Sequence, residues 1–151
     1  MNYQIDEIDT IAKKLIENFS AKTILFEGDL GAGKTRLIKA LTKALGSNDD
    51  VTSPTFSIVN TYKSKDCLIH HFDMYRIEDE IEALNFGFED YLNNDNDWLF
   101  IEWPDRIVNL LPIEVNTITI SKIDTNSRAL KLSLNELLTQ KPAMEHCKTQ
   151  K

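Results

Sequence analysis

The sequence predicts one α/β domain: a central sheet mixing parallel and antiparallel strands, flanked by helices, with a C-terminal antiparallel hairpin. Three observations lead there. The apolar run Thr23-Ile24-Leu25-Phe26-Glu27 suits a buried strand, and it is followed by a glycine-rich loop and then by Leu37, Leu41, Ala44 and Leu45 at helical spacing. A second continuous apolar run, Trp98-Leu99-Phe100-Ile101, predicts another fully buried strand. Lastly, Val115, Ile118 and Ile120 alternate in one stretch and Leu130, Leu132 and Leu134 in another, with the turn-forming Asp124-Thr125-Asn126-Ser127 between them.

The remaining elements follow in chain order. Ile5, Ile8, Ile11, Ala12, Leu15, Ile16 and Phe19 mark an amphipathic helix over 5–19. The helix after the glycine loop stops at Gly46. Val51 to Thr55 runs irregular or extended, because Pro54 disfavours helix at Ser53. Strands over Phe56–Tyr62 and Cys67–Phe72 flank the polar Lys63-Ser64-Lys65-Asp66, which fits a hairpin turn. Glu78–Phe86 reads as a short helix ended by Gly87, and Phe88–Leu92 as a further turn. Asn93 to Asp97 is a solvated loop, and Pro104 opens a short helix through Leu111. The domain is expected over 1–137. From 138 to 151 the chain lacks periodicity and is expected to be disordered.

Composition narrows the class. The chain has 151 residues, 42% hydrophobic and 27% charged, which suits an ordinary globular domain. No apolar run approaches the roughly 20 residues of a membrane span. The start of the chain has neither the basic residues nor the apolar core of a secretion signal, so a cytoplasmic location is expected. Cys67 and Cys147 show no metal-ligand spacing and read as two thiols. A net charge of −7 argues against tight gripping of a nucleic-acid backbone by the chain alone, although Lys34, Arg36, Lys39 and Lys43 cluster locally.

The chemistry lies in residues 28–35, Gly28-Asp29-Leu30-Gly31-Ala32-Gly33-Lys34-Thr35, a full match to the phosphate-binding loop pattern G-x-x-x-x-G-K-[ST]. Gly28, Gly31 and Gly33 permit positive φ and close approach, so that successive amides can point at an anion. The helix that follows adds the positive end of its dipole. Lys34 supplies a point charge for the outer phosphates, and the Thr35 hydroxyl can ligate Mg²⁺. These eight residues are the candidate nucleotide contacts of a P-loop NTPase-like domain.

Such a loop needs an acid at the end of a neighbouring buried strand. Glu102, delivered by the 98–101 strand, is expected to be the acid nearest Mg²⁺. Asp73, after the less apolar 67–72 run, is expected to position water or metal. The alternatives are a strand-end salt bridge for Glu102, and for Asp73 a cap or an ion pair with Arg76. Thr55 lies where phosphate-loop proteins place a mobile switch that senses the γ-phosphate, against an ordinary loop as the alternative. His70 and His71 face opposite ways in a strand and cannot form one metal pair; a packed or partly exposed histidine is expected at each. Trp103 could stack on a base, pack into the core or anchor a partner. Arg76 and Arg106 are candidate phosphate or partner contacts, or surface ion pairs.

The order of these segments resembles the TsaE family (also called YjeE or YdiB), small bacterial phosphate-loop ATPases needed for threonylcarbamoyladenosine modification of tRNA. The loop carries the resemblance together with Ser53-Pro54-Thr55-Phe56, Tyr62, His71-Phe72-Asp73-Met74-Tyr75-Arg76 and Ile101-Glu102-Trp103-Pro104, and the likeness runs from about residue 5 to residue 135. The resemblance implies that Thr35 and Glu102 ligate Mg²⁺ and that Thr10 lies near the adenine end of ATP. It further implies that Asp73 and Trp103 belong to segments on which ATPase activity depends. TsaD and TsaB would be the partners, tRNA being reached through their complex, with no membrane involved. Arg36 stands where many relatives carry a second threonine, and the tail beyond Leu138 matches nothing in the family pattern.

Slow hydrolysis by the chain alone and stimulation by partners are expected, since no in-line glutamine or arginine finger stands out. The competing readings are a small-molecule or nucleoside kinase and a nucleotide-gated binding module. A kinase needs an arginine-bearing lid; the only candidate stretch, 78–95, is acidic and has no arginine or lysine. The absence of an Asn-Lys-x-Asp pattern leans towards ATP over GTP.

Overall fold

The computed structural model describes residues 1–54 and 57–134. Thr55, the expected start of a strand at Phe56, the boundary at 137 and the tail over 138–151 lie outside them. In chain order the elements are β1 (Asn2–Gln4), a 3₁₀ turn (Ile5–Glu7), α1 (Ile8–Asn18), β2 (Thr23–Glu27), α2 (Lys34–Ala44), β3 (Val59–Lys63) and β4 (Leu68–Asp73). Then come α3 (Glu80–Asn85), α4 (Phe88–Tyr91), β5 (Trp98–Glu102), a 3₁₀ segment (Pro104–Leu110), β6 (Asn116–Asp124) and β7 (Ser127–Leu134).

The seven strands form one sheet in the order β1-β7-β6-β2-β5-β4-β3. Its centre is parallel, β6 with β2, β2 with β5 and β5 with β4. The antiparallel pairs β3–β4, β6–β7 and β1–β7 extend it to both edges. This is the mixed sheet with a C-terminal hairpin that the residue pattern predicts.

Alternation along each strand sorts two cores. Ile24, Phe26, Phe100, Ile118 and Ile120 face α1 and α2, whose Ile11, Leu15, Leu37 and Leu41 complete that layer. Leu25, Phe72, Leu99 and Ile101 face the side of α3, α4 and the 3₁₀ segment, with Met74, Phe88 and Ile107. Phe26 and Phe100 meet edge to face at 5.6 Å between ring centroids, and each is fully buried. Burying one phenylalanine side chain is worth about 2 kcal/mol.

Some boundaries differ from expectation for local reasons. Strand β1 has three residues, too short to alternate visibly; its place is fixed by pairing, Asn2 to Ala129 and Gln4 to Ser127. Strand β3 begins at Val59 because Ile58 has φ 70°, a left-handed conformation incompatible with a ladder. The short helix opened by Pro104 is a 3₁₀ helix ending at Leu110, with a break at Ile107 (φ −124°, ψ 22°). Among the described residues, no helix is long and apolar enough to cross a membrane.

Candidate functional site

Strand β2 feeds the glycine loop directly. At Gly28, φ is 155°, and a Cβ would stand 2.6 Å from the Ile120 carbonyl oxygen, so only glycine fits against β6. Gly33 (φ 109°) is the N-cap of α2 and turns the chain so that the helix opens on the loop. The Ala32 amide donates to the Asp29 carbonyl at 3.0 Å. Behind the loop, Arg128 of β7 is buried; its Nε donates to the Ala32 carbonyl at 2.8 Å and its Nη1 to the Asp124 and Ser127 carbonyls at 2.8 and 2.9 Å. The loop is thereby tied to the C-terminal hairpin. Ala32 is buried, whereas Asp29, Leu30 and Gly31 are exposed at the tip.

Lys34 is only 5% exposed. Its ammonium donates to the Gly28 carbonyl and lies 3.5 Å from the centroid of the Trp103 ring, a cation–π contact. Burial pulls the Lys34 pKa below the ordinary lysine value, and the negative charges of Glu102, Asp73, Asp29 and Asp105 partly offset this. Trp103 itself adopts φ 57°, a left-handed conformation that costs a bulky residue on the order of 1 kcal/mol. Strain of this kind is sustained by surrounding contacts, here with Lys34 and with Tyr75 (ring centroids 5.0 Å apart).

The two acids emerge side by side because the parallel register pairs Asp73 of β4 with Glu102 of β5. Both are buried, at 8% and 3% exposure. Glu102 Oε2 accepts from Thr35 Oγ1 at 3.5 Å and from His71 Nε2 at 2.6 Å. Thr35 Oγ1 and Glu102 Oε2 thus place two hard oxygens side by side, a donor set that would suit Mg²⁺.

Asp73 accepts from the Tyr75 amide at 3.0 Å, yet its pKa is raised, chiefly by desolvation and further by Glu102, against the opposing effects of the Tyr75 amide, His71 and Lys34. A folded carboxyl that holds its proton more tightly than an unfolded one costs stability as pH rises from the ordinary aspartate range through the raised value, and the penalty persists above it. Asp73→Asn, which keeps the Tyr75 bond, is therefore expected to melt higher than the parent at neutral pH. The difference should vanish in acid, and any nucleotide hydrolysis by the chain should fall roughly tenfold or more. Thermal melts across pH beside a phosphate-release assay check both halves.

A cleft of about 590 Å³ runs over Gly31, Gly33, Lys34 and Thr35, past Asp73, Glu102 and Trp103, and on to Tyr3, Ile5 and Ile8. Thr10 is exposed on the first turn of α1 and is not among the lining residues. Arg76 lines the cleft, while Arg106 turns away and donates to the Ile77 carbonyl. His70 and His71 do face opposite ways: His70 bonds Asp97 at 3.1 Å and Thr61 at 2.9 Å, on the other side from Glu102. Sequence reasoning missed the contacts of His71 and Arg128 with this site. Each joins segments far apart in the chain, and no local pattern signals them.

A phosphate loop leaving a buried parallel strand, with a carboxylate at the end of the adjacent strand, defines a P-loop-type nucleotide-binding domain. The sequence model of TsaE, described as threonylcarbamoyl adenosine biosynthesis protein TsaE, matches residues 3–130. The chain belongs to this family, whose members serve threonylcarbamoyladenosine biosynthesis on tRNA.

Among curated relatives, the tRNA threonylcarbamoyladenosine biosynthesis protein TsaE of Rickettsia conorii is 34% identical over 132 residues, covering 86% of this chain and 74% of the relative. The protein of the same name from Bacillus subtilis is 37% identical over 107 residues, covering 71% and 66%. The crystal structure of YdiB from Bacillus subtilis superposes with a TM-score of 0.67 at 23% identity, covering 100% of this chain and 96% of that one, and so shares its fold.

Proposed function

We propose that this chain is the ATPase subunit of tRNA threonylcarbamoyladenosine modification, hydrolysing Mg-ATP to support turnover of a TsaD–TsaB complex in the cytoplasm. The observation that carries the reading is the convergence of Lys34, Thr35, Asp73 and Glu102 on one face of the glycine loop, within a member of this family.

In this reading the loop amides and the α2 N-terminus bind the β- and γ-phosphates. The Lys34 ammonium exchanges the Gly28 carbonyl for phosphate oxygens and neutralises charge that builds during transfer. Thr35 and Glu102 would hold Mg²⁺, which would supply Lewis-acid stabilisation to the phosphates. Asp73 orients the attacking water, with Thr55 as the residue sensing the γ-phosphate. Trp103 offers a ring face beside Lys34, and the apolar Ile5 and Ile8 extend the cleft beyond the phosphates on the side of α1, where Thr10 would stand near the adenine. Contact with tRNA is made through the partners, in keeping with the net charge of −7.

The test is calorimetry with ATP and ADP plus magnesium, followed by phosphate release from the chain alone and mixed with TsaB, TsaD and tRNA. Uptake of nucleotide and a several-fold rise in turnover with partners are expected. Equal turnover with and without them would remove the accessory role, and no nucleotide uptake would remove the whole reading.

A further inference from the structure

The acid assigned to magnesium is itself held from behind. Glu102 Oε2 meets His71 Nε2 at 2.6 Å; a carboxylate only accepts, so Nε2 carries the proton of this bond. The other ring nitrogen, His71 Nδ1, lies 3.4 Å from the Tyr62 hydroxyl. That hydroxyl donates to the Thr52 carbonyl at 3.1 Å and accepts from the Thr52 amide at 3.3 Å. Asn60 Nδ2 also donates to the Thr52 carbonyl, at 3.2 Å. A chain of side-chain contacts therefore runs from the metal carboxylate to the irregular segment over 51–54, whose Ser53 lines the nucleotide cleft.

Burial makes these contacts consequential. His71 is 0% and Tyr62 4% exposed, so water has little access to replace a lost partner. The tyrosine hydroxyl has one proton and two acceptors in reach, the Thr52 carbonyl and, when Nδ1 bears no hydrogen, His71. Rotating one O–H bond shifts its proton between the segment and the histidine behind Glu102. A second tie runs in parallel: Ile58 donates its amide to the Pro54 carbonyl at 2.8 Å and accepts at its carbonyl from the Asp73 amide at 2.9 Å. Ile58 carries φ 70°, a conformation a β-branched residue keeps only under constraint. Thr52 is thus fastened towards Glu102, and Pro54, through Ile58, towards Asp73.

We propose that His71 and Tyr62 are positioning residues that couple the Glu102 carboxylate to the 51–54 segment, so that capture of magnesium-nucleotide and ordering of that segment occur together. This rests on the function proposed above.

The experiment compares the parent chain with Tyr62→Phe, His71→Gln and His71→Leu. It measures affinity for ATP by calorimetry with magnesium and with EDTA, and hydrogen exchange at the Thr52 and Ser53 amides. Loss of such a supporting contact behind a metal ligand costs about tenfold or more in metal affinity. Tyr62→Phe and His71→Leu are expected to weaken Mg-ATP by about that factor while leaving ATP in EDTA unchanged. In the parent, Mg-ATP should slow exchange at Thr52 and Ser53; in Tyr62→Phe it should not. His71→Gln, which retains an N–H donor for Glu102, should recover most of the affinity. If Tyr62→Phe keeps the parent's magnesium dependence and its slowing of exchange, the coupling is wrong while the ATPase reading stands. Should Tyr62→Phe fail to fold, the contrast between His71→Gln and His71→Leu decides, equal affinities overturning the proposal. A parent chain that takes up no ATP would sink both readings.

Discussion

If the chain is the ATPase proposed above, Lys34→Met is expected to lower ATP turnover by about 10²-fold or more, because it removes the only cation among residues 28–35. The fold should survive and gain. The parent holds its ammonium almost fully buried, satisfied by the Gly28 carbonyl and the Trp103 ring, and desolvation lowers its pKa. A lysine whose folded pKa is depressed gains stability as pH rises between the lowered and the ordinary value, since only the unfolded chain then keeps that proton. The parent should therefore show this alkaline gain and Lys34→Met should not, while melting at or above the parent at neutral pH. Steady-state hydrolysis and melts between neutral and alkaline pH measure the two effects.

The second large effect belongs to Glu102. Glu102→Ala is expected to abolish magnesium-dependent hydrolysis, again by about 10²-fold or more. It should also destabilise the protein by about 1–3 kcal/mol, because the fully buried His71 Nε2 loses the carboxylate it donates to. Glu102→Gln separates these. The amide oxygen can still accept from His71, so stability should be largely kept, while the neutral group binds magnesium poorly. Hydrolysis titrated against magnesium, beside thermal melts of both variants, distinguishes ligation from support. A Glu102→Ala chain with parental magnesium-dependent turnover would overturn the assignment.

The geometry of the site was legible wherever it is local. Gly28 to Thr35 form a contiguous pattern whose backbone needs are written in its glycines, and the apolar run ending at Ile101 announced that Glu102 leaves a buried strand. The pairing of Asp73 with Glu102 was half legible: each strand end could be seen, but their adjacency depends on β4 and β5 lying side by side in one register. What stayed hidden depends on such register alone. His71 reads as one of two adjacent histidines in a strand; only the stacking of β3, β4 and β5 brings it between Tyr62 and Glu102. Arg128 sits in an ordinary alternating strand, with nothing nearby to show that its guanidinium reaches Ala32. Strand β1 escaped for a related reason, since three residues carry too little periodicity and their order comes from the edge of β7.

That reach of Arg128 orders events during synthesis. The phosphate loop is made well before the strand that carries its guanidinium brace. A growing polypeptide halted before β7 exposes the glycine stretch without the contact that secures Ala32, and leaves the outer edge of β6 unpaired. The last hairpin therefore closes the sheet beyond β6 and braces the glycine loop in one move, so a truncation that removes β7 removes both.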